Sequence, residues 1–449
     1  MNEKKKLGKK EYIYVASMLF GLFFGAGNLI FPVYMGQMAG RHVWSALAGF
    51  IITGVGLPLL GVAALGISKS EGLFELSKTV GNKFAYFFTC LLYLTIGPFF
   101  AIPRCATTSF TVGIESMLPD GGSMRLYLLI FSVVFFAAAL LLSLYPGRIL
   151  IWVGKILNPF FLLFLGILII AAFISPSADI ASVEPSGAYA AEPFFTGFLE
   201  GYNTMDALAG LAFGIIVVYA IRRLGVEDAE AIAAGTVKSG FFSCVLMAVI
   251  YAAVTIVGTQ SRGAVPLASN GGEALAGIAS HYLGRAGFAV LAVTVTVACL
   301  KTAVGLITSC SETFTEIFDR GPSYRGWAVI FSIVSLVFSN LGLDMIIAYS
   351  LPVLMFLYPI AVVLIILAFT GRMFGNDRLV CCSAMFMTML AAVYDMLRTL
   401  PEGTRAWLNI DGIISSVGNV LPFASVGLGW ICPAAIGFAA GLIMRKARQ

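Results

Sequence analysis

Long apolar stretches dominate the pattern of hydrophobic and polar positions along this chain. A helix needs about 20 consecutive apolar residues to cross a bilayer, and the sequence contains about twelve stretches of that kind. This pattern predicts an all-α polytopic membrane protein with about 12 transmembrane helices. The predicted spans, numbered in chain order, are residues 12–37, 42–67, 84–113, 126–146, 150–174, 194–220, 231–258, 286–318, 324–340, 344–369, 379–399 and 420–444.

Two of these spans carry helix-breaking and polar residues near their middle. Span one contains FGLFFGAGNLIFP (residues 20–32), in which Gly25, Gly27 and Asn28 interrupt the apolar run. Span six contains LEGYNTMDALAG (residues 199–210), in which two acids, an asparagine and a threonine lie between apolar flanks. Polar groups at that depth are costly unless they find partners or water. Because irregular backbone is tolerated there where it lines a cavity, helices 1 and 6 are predicted to be broken around a substrate cavity.

Matching interruptions five spans apart are typical of transporters built from two inverted repeats. The predicted organisation is a cytoplasmic tail, a first five-helix repeat, an extracellular loop, a second five-helix inverted repeat, and two additional helices with a cytoplasmic tail. These segments are residues 1–11, 12–174, 175–193, 194–369 and 379–449. The alternative is that the glycines only allow membrane helices to pack closely.

Composition and charge agree with a membrane protein. Hydrophobic residues make up 59% of the chain and charged residues 11%, whereas soluble proteins have about 25% charged residues. Most Lys and Arg residues fall on one side if the N-terminus is inside, so both termini are predicted to be cytoplasmic. The net charge of +5 therefore reflects topology and gives no argument for nucleic-acid binding. The eight scattered cysteines suggest neither a disulfide framework nor a zinc site, and neither a cofactor nor an obligate protein partner is predicted.

Several strings together resemble the bacterial branched-chain amino acid:cation symporters, the BrnQ-like family, from span one to span ten. The resemblance implies the leucine-transporter-like fold with two extra helices and a location in the bacterial cytoplasmic membrane. It also implies import of leucine, isoleucine and valine, coupled in most cases to Na⁺. The strings are GLFFGAGNLIFPVYMGQMAGRHVW, YLTIGPFFAIPRCATTSF, SLYPGRIL, GYNTMDALAGLAFG, ACLKTAVGL and SNLGLDMII.

The GAGN of span one is also similar to the break in sodium-coupled neurotransmitter symporters, and this similarity implies roles for individual residues. The N–H groups of Ala26 and Gly27 would bind the substrate carboxylate, and the side-chain oxygen of Asn28 would lie near a cation. A second cation would be bound by the carbonyls of Gly21 and Phe24 and, from span eight, by the Cys299 carbonyl and the Thr302 hydroxyl, so Na⁺ would lie within the set Gly21, Phe24, Asn28, Cys299 and Thr302. The neurotransmitter symporters carry an arginine where this chain has Ile30, so an outer charged gate would need another residue, such as Arg104 with an acid.

The residues around the two breaks also predict a substrate site with a charged end and an apolar wall. The candidates for the wall are Phe23, Phe24, Phe99, Phe100, Tyr202 and Met205. The complete predicted substrate-binding set is Gly25, Ala26, Gly27, Asn28, Phe24, Phe100, Tyr202, Asn203, Thr204 and Met205.

Two charged residues inside the spans are candidates for ion coupling. Asp206 follows the interruption of span six, where it either balances a cation or caps the half-helix. Lys301 lies near the middle of span eight, beside Thr302. Its ammonium could act as a tethered cation in place of Na⁺, which would give H⁺-coupled or facilitative transport. The alternative is a structural ion pair with an acid elsewhere in the bundle, such as Asp206 or Glu200.

Other classes of function have little support in the sequence. The chain contains no His-Glu-x-x-His, Gly-x-Ser-x-Gly or Walker motif, so an enzyme is not predicted. Nothing resembles a repeated filter strand or a ring of like charges, which disfavours a channel. A carrier for amino acids, with Na⁺ or H⁺ as its coupling ion, is the prediction.

Overall fold

The computed structural model describes residues 7–115, 118, 123–145 and 158–448. The predicted tail residues 1–6 and the predicted start of span five, residues 150–157, lie outside the described residues. The first half contains α1 (Lys9–Phe23), α2 (Ala26–Ala39), α3 (Val43–Ile51), α4 (Leu57–Ser68), α5 (Leu73–Ser77), α6 (Asn82–Leu94), α7 (Ala101–Gly113), α8 (Met124–Ser143) and α9 (Asn158–Ile174). The second half contains α10 (Pro193–Asn203), α11 (Asp206–Ala212), α12 (Gly214–Arg223), α13 (Ala229–Ser261), α14 (Gly271–Ile317), α15 (Tyr324–Ser339), α16 (Leu343–Thr370), α17 (Arg378–Arg398), α18 (Glu402–Leu408), α19 (Asp411–Gly418) and α20 (Ile431–Arg448).

The described helices are long and apolar enough for a multi-pass membrane protein. Seven helical segments of the described chain reach the length and hydropathy needed to cross a bilayer. They are Gly27–Ser68, Asn82–Gly113, Met124–Ser143, Glu230–Ser261, Gly287–Ile317, Leu343–Phe374 and Arg378–Arg398. The predicted spans one and six are both broken, which shortens their individual helices.

The predicted boundary of span twelve is wrong. The sequence predicts a helix from residue 420, but α20 begins at Ile431, and turns occupy most of the residues before it. Phe423 and Gly427 adopt positive φ angles of 60° and 73° in this segment. A helix cannot contain such residues, because left-handed backbone does not continue the right-handed hydrogen-bond ladder.

A further interruption, which hydropathy did not predict, lies in span three between α6 and α7. A π-helical turn covers Thr95–Phe99, and Gly97 within it has the non-helical angles φ −89° and ψ −122°. Pro98 follows, and proline removes a backbone donor from the helix. Beyond this turn, Arg104 of α7 donates a hydrogen bond to the carbonyl of Asn203 in α10.

Small residues set the distance between the broken helices and their neighbours. A Cβ atom added to Gly36 of α2 would lie 2.1 Å from the backbone oxygen of Thr255 in α13. The hydroxyl of Thr259 donates a hydrogen bond of 2.8 Å to the Gly36 carbonyl across the same crossing. Such close approach is typical of helix packing in membranes, where small residues take the place of a hydrophobic driving force. α2 and α13 are therefore in close contact at this crossing.

Candidate functional site: a cavity between two broken helices

The break of span one consists of Phe24 and Gly25, which separate α1 from α2. Gly25 is extended, with φ −120° and ψ −152°, and its N–H donates a hydrogen bond of 2.9 Å to Oδ1 of Asn28. This is the reach-back contact of a capping box, in which a side chain of the first turn satisfies the N-cap amide. Ala26 and Gly27 are the first two residues of α2. Because α2 begins here, their N–H groups have no carbonyl of a preceding helical turn as partner, and the positive end of the α2 dipole lies at the break.

The two glycines of this break are explained by close neighbours. A Cβ atom on Gly25 would lie 2.7 Å from Oγ1 and 2.9 Å from Cγ2 of Thr302 in α14. A Cβ atom on Gly27 would lie 2.8 Å from Nη2 of Arg104 in α7. These distances are shorter than an ordinary contact. At Gly25 the short Thr302 side chain has little freedom to move, so glycine there lets α14 reach the break, whereas at Gly27 the nearest atom is the end of the flexible Arg104 side chain.

The break of span six consists of Thr204 and Met205, between α10 and α11. Met205 has the left-handed angles φ 64° and ψ 11°, which are unfavourable for a residue with a side chain. The Thr204 hydroxyl donates to the carbonyl of Gly201 at 2.8 Å and accepts from the N–H of Asp206 at 3.3 Å. These contacts hold a backbone that would otherwise be strained, which is a common feature of functional sites.

Asp206 joins the two breaks through a buried cluster of hydrogen bonds. Its Oδ2 accepts from the Asn28 amide at 2.6 Å and from the Tyr251 hydroxyl at 2.5 Å. The Asn28 amide also donates to the Tyr251 hydroxyl. Asp206, Asn28 and Tyr251 are each at most 2% exposed. One carboxylate therefore ties spans one, six and seven together, and hydrogen bonds to charged groups are the stronger ones in proteins.

A small cavity of about 30 Å³ lies between the two breaks. It is smaller than the roughly 300–1,000 Å³ that is usual for small-molecule sites, so the helices around it must move apart before a substrate can bind. One part of the lining is polar and includes the break of span one, Arg104 and Asp206, and the other part is apolar. The lining residues are Leu22, Phe23, Gly25, Gly27, Asn28, Ile96, Ala101, Arg104, Cys105, Thr204, Met205, Asp206, Ala209, Phe213, Thr302 and Leu306.

The cavity brings together many, but not all, of the sequence-predicted substrate residues. Gly25, Gly27, Asn28, Thr204 and Met205 line it, and Phe23 of the predicted wall does so too. The remaining wall consists of apolar residues that the sequence analysis did not single out: Leu22, Ile96, Ala101, Ala209, Phe213 and Leu306.

Four predicted aromatic residues lie elsewhere, and one of them, Phe99, packs against Phe338 with ring centroids 5.0 Å apart. Phe24 is fully buried and packs against Phe20, Phe161 and Tyr251. Tyr202 stacks on Tyr358 of α16, with ring centroids 3.9 Å apart, and Phe100 is half-buried beside the hydrophobic core; neither lines the cavity. Asn203 contributes its carbonyl, which accepts a hydrogen bond from Arg104. The direction of a side chain on a helix depends on its rotation within the bundle, which the sequence does not specify.

The predicted ion-coupling residues lie on both sides of the span-one break. Gly21 and Cys299 are buried, and Thr302 lines the cavity with a hydroxyl that has no hydrogen-bond partner among the described residues. Lys301, one residue earlier, points away from Thr302. Its ammonium donates a hydrogen bond of 2.9 Å to Oδ1 of Asn158.

The surroundings of Lys301 contradict the structural ion pair considered in the sequence analysis. Lys301 is 0% exposed, and neither Asp206 nor Glu200 pairs with it in the described part of the chain. Its ammonium lies 4.1 Å from the ring centroid of Phe161 and 5.4 Å from that of Phe20. The amide of Asn158 in turn donates to the backbone oxygen of Ser17. The ammonium is thus held between spans one, five and eight by neutral groups.

Arg104, which the sequence analysis considered for an outer charged gate, forms no ion pair with an acid among the described residues. It is 3% exposed and lines the cavity itself. Tyr251 and Asn158 were missed altogether, since each is a single polar side chain in or beside an apolar run and gives no recognisable signal. Only their positions against Asp206 and Lys301 identify them.

Comparison with known proteins places this geometry in a family. Residues 8–448 match the family described as "Branched-chain amino acid transport protein". The chain is 51% identical over 447 residues to the branched-chain amino acid permease BrnQ of Lactobacillus delbrueckii subsp. lactis, covering 99% of both chains. It is 41% identical over 440 residues to BrnQ of Bacillus subtilis, covering 98% of both, and 38% identical over 442 residues to BrnQ of Escherichia coli K12, covering 98% of this chain and 97% of that protein.

Solved structures of distant transporters share the fold. One is Mhp1, a nucleobase-cation-symport-1 family transporter, in a closed conformation with bromovinylhydantoin bound. Its TM-score is 0.57 at 14% sequence identity, and the alignment covers 99% of this chain and 95% of that chain. MhsT in complex with L-phenylalanine gives a TM-score of 0.54 at 15% identity, over 98% and 99%. The predicted leucine-transporter-like fold with broken helices 1 and 6 is confirmed. Since the family model matches nearly the whole chain and its relatives align end to end, the chain belongs to the branched-chain amino acid transport protein family.

Proposed function

We propose that this protein is a secondary active importer of leucine, isoleucine and valine that works by alternating access and is coupled to a cation. The observation that carries the proposal is the cavity between the two breaks, in a chain that aligns end to end with proteins named branched-chain amino acid permeases. In this fold, substrate binds near the middle of the membrane where two helices are interrupted. We further propose that the protein resides in the bacterial cytoplasmic membrane with both termini in the cytoplasm.

The chemistry of the cavity supports a substrate with a zwitterionic head and a branched apolar tail. Leu22, Phe23, Ile96 and Phe213 supply an apolar surface, and burying a branched aliphatic side chain against it is worth about 2 kcal/mol. Asp206 supplies a negative charge for the substrate ammonium or for a coupling cation. An acidic or basic side chain on the substrate would meet the apolar surface without a partner, which is costly.

Uptake into proteoliposomes tests this proposal. When an inward cation gradient is imposed, proteoliposomes with the purified protein should accumulate labelled leucine, isoleucine and valine. Liposomes without protein should not. Unlabelled aspartate, lysine or glycine at concentrations equal to leucine should leave leucine uptake nearly unchanged. Equal inhibition by aspartate or lysine would overturn the assignment of substrate class.

The coupling ion is proposed to be Na⁺, bound near the contact between spans one and eight. The hydroxyl of Thr302 lies against Gly25 and is unpartnered in the described structure, and oxygen ligands of this kind suit Na⁺. Backbone oxygens of Gly21, Phe24 and Cys299 would complete the coordination. Oδ1 of Asn28 already accepts from Gly25 but retains a second lone pair for the ion.

Lys301 supports a second candidate, a proton-coupled or facilitative amino acid transporter. Its buried ammonium, held by Asn158 and two aromatic rings, already provides a positive charge between spans one, five and eight. A lysine in such a position can act as a tethered cation or exchange a proton during the cycle. Either role would replace a bound Na⁺.

The two candidates differ in their response to gradients. If Na⁺ is the coupling ion, leucine accumulation should require a Na⁺ gradient and should not follow an imposed H⁺ gradient. If Lys301 takes the place of Na⁺, wild-type uptake should be insensitive to Na⁺, and Lys301→Thr should change the ion dependence. Lys69→Thr, which removes an exposed lysine paired with Glu230, is the matched control. Steep Na⁺ dependence of the wild type that Lys301→Thr leaves unaltered would eliminate the second candidate.

A further inference from the structure

Arg104 occupies an unusual position for an arginine, in the interior of the membrane domain and on the wall of the cavity. It is 3% exposed, and its Nη1 donates a hydrogen bond of 2.8 Å to the carbonyl of Asn203, just before the span-six break. The guanidinium carbon lies 5.1 Å from the ring centroid of Phe31. Its Nε has no hydrogen-bond partner among the described residues.

Arg104 forms no close ion pair with an acid in the described part of the chain, although the carboxyl group of Asp206 is near enough to interact with its charge. Asp206 also lines the cavity, but it makes no ion pair with Arg104 and instead accepts from Asn28 and Tyr251. A single carbonyl and an aromatic face compensate only part of the free-energy cost of desolvating a guanidinium. A buried charge of this kind is therefore able to bind an anion that comes from outside the protein.

The positive end of helix α2 faces the same part of the cavity. This helix has 14 residues and begins at Ala26, after the extended Gly25. Gly27 lets the guanidinium approach the helix end, since a Cβ atom there would lie 2.8 Å from Nη2. The unpaired N–H groups of a helix N-terminus and an arginine fork both favour carboxylates. Two independent sources of positive potential thus converge on one wall.

We propose that Arg104 binds the carboxylate of the transported amino acid, together with the N-terminus of α2. The proposal rests on the proposed function and assigns the polar wall of its site: Arg104 and α2 face the carboxylate, and Asp206 lies on the same cavity as the acceptor for positive charge. A site built in this way selects a free α-carboxylate, and it should reject an amino acid amide that has the same shape but lacks the negative charge.

Binding of leucine and leucinamide to purified protein tests this assignment. Thermal stabilisation by increasing concentrations of each ligand gives an apparent affinity, since a ligand that binds only the folded state raises its stability. The wild type should bind leucine about 30-fold or more tightly than leucinamide, the lower limit expected for loss of one member of a buried, hydrogen-bonded charge pair. Arg104→Gln should weaken leucine binding by a similar factor, leave leucinamide binding nearly unchanged, and so abolish the preference.

Control variants separate this role from a structural one. Arg41→Gln, which removes an exposed arginine paired with Glu184, should keep the wild-type preference. Arg104→Lys keeps the charge but loses the planar fork, so an intermediate preference is expected. If Arg104 served only to hold the Asn203 carbonyl, its removal would weaken both ligands by the same factor and would not change their ratio.

The outcomes are distinguishable from failure of the proposed function. Wild-type protein that binds leucine and leucinamide equally would overturn the carboxylate assignment without any variant, as would Arg104→Gln that folds and keeps the preference. A wild type that binds none of leucine, isoleucine and valine would instead overturn the proposed function. Should Arg104→Gln fail to fold, the wild-type ratio and Arg104→Lys still decide the question.

Discussion

Gly25 is the position where the packing of the span-one break is most directly testable. Its φ angle of −120° is accessible to any residue, so alanine would not be forced into left-handed backbone. A Cβ atom would, however, lie 2.7, 2.9 and 3.0 Å from Oγ1, Cγ2 and Cβ of Thr302. We therefore expect Gly25→Ala to be destabilising through steric overlap alone.

The size of the effect follows from these distances. Carbon atoms in contact are optimally about 3.5–4.0 Å apart, so α2 and α14 would have to separate by roughly 0.5–0.8 Å at this point. Overpacking of this kind costs about 1–3 kcal/mol in the free energy of unfolding. Thr302 is β-branched and has few alternative rotamers in a helix, so it cannot move aside easily.

A double-mutant cycle with Thr302→Ala isolates the contact. Unfolding in mixed detergent and SDS micelles gives the stability of the wild type, both single variants and the double variant. Thr302→Ala removes the two nearest atoms, so the double variant should recover about 1 kcal/mol or more of the loss, within the range of about 0.5–3 kcal/mol found for residues in contact. Gly166→Ala, where a new Cβ would meet nothing within 4 Å, is the matched control and should be neutral or slightly stabilising.

Two results would refute the reasoning. Gly25→Ala could be as stable as the wild type, which would mean that α2 and α14 are not in contact at this position. Alternatively, the losses of the two single variants could add without coupling. Either result would also remove the argument that glycine is needed here to bring span eight to the break.

The polar cluster around Asp206 gives three further predictions. Asn28→Leu removes a donor to Asp206 and the acceptor for the Gly25 N–H, so it should abolish ion-driven leucine uptake while expression stays near normal. Full accumulation of leucine by the variant would mean that Asn28 serves only in helix packing. Asp206→Asn should weaken the dependence of uptake on the coupling cation. An unchanged cation activation curve would mean that Asp206 acts only as a helix cap. Tyr251→Phe removes one hydrogen bond to the same carboxylate, worth about 1.5–3 kcal/mol, so the cation concentration for half-maximal uptake should shift about tenfold or more if Asp206 contributes to ion binding.

The positions of the spans and of their two breaks could be predicted from the sequence because both are local properties. In lipid, each backbone polar group must be satisfied within its own helix, so a run of about 20 apolar residues can be read without knowing its neighbours. The breaks at Gly25 and Thr204 were equally visible, since glycine and dense polar residues interrupt such runs. The turn at Gly97 escaped notice because it lies in a run that stays apolar on both sides.

Only the tertiary structure decided which side chains meet at the site. Asp206 contacts Asn28, 178 positions earlier, and Lys301 contacts Asn158, 143 positions earlier. The sequence analysis offered an acid as one alternative partner of Lys301, whereas the structure has Asn158 in that place. It considered Arg104 for an outer gate and did not predict its position on the cavity wall. The physical reason is that each helix satisfies its own backbone, so its rotation and depth are set by packing against other helices. A small rotation decides whether a polar side chain faces the cavity, another helix or lipid.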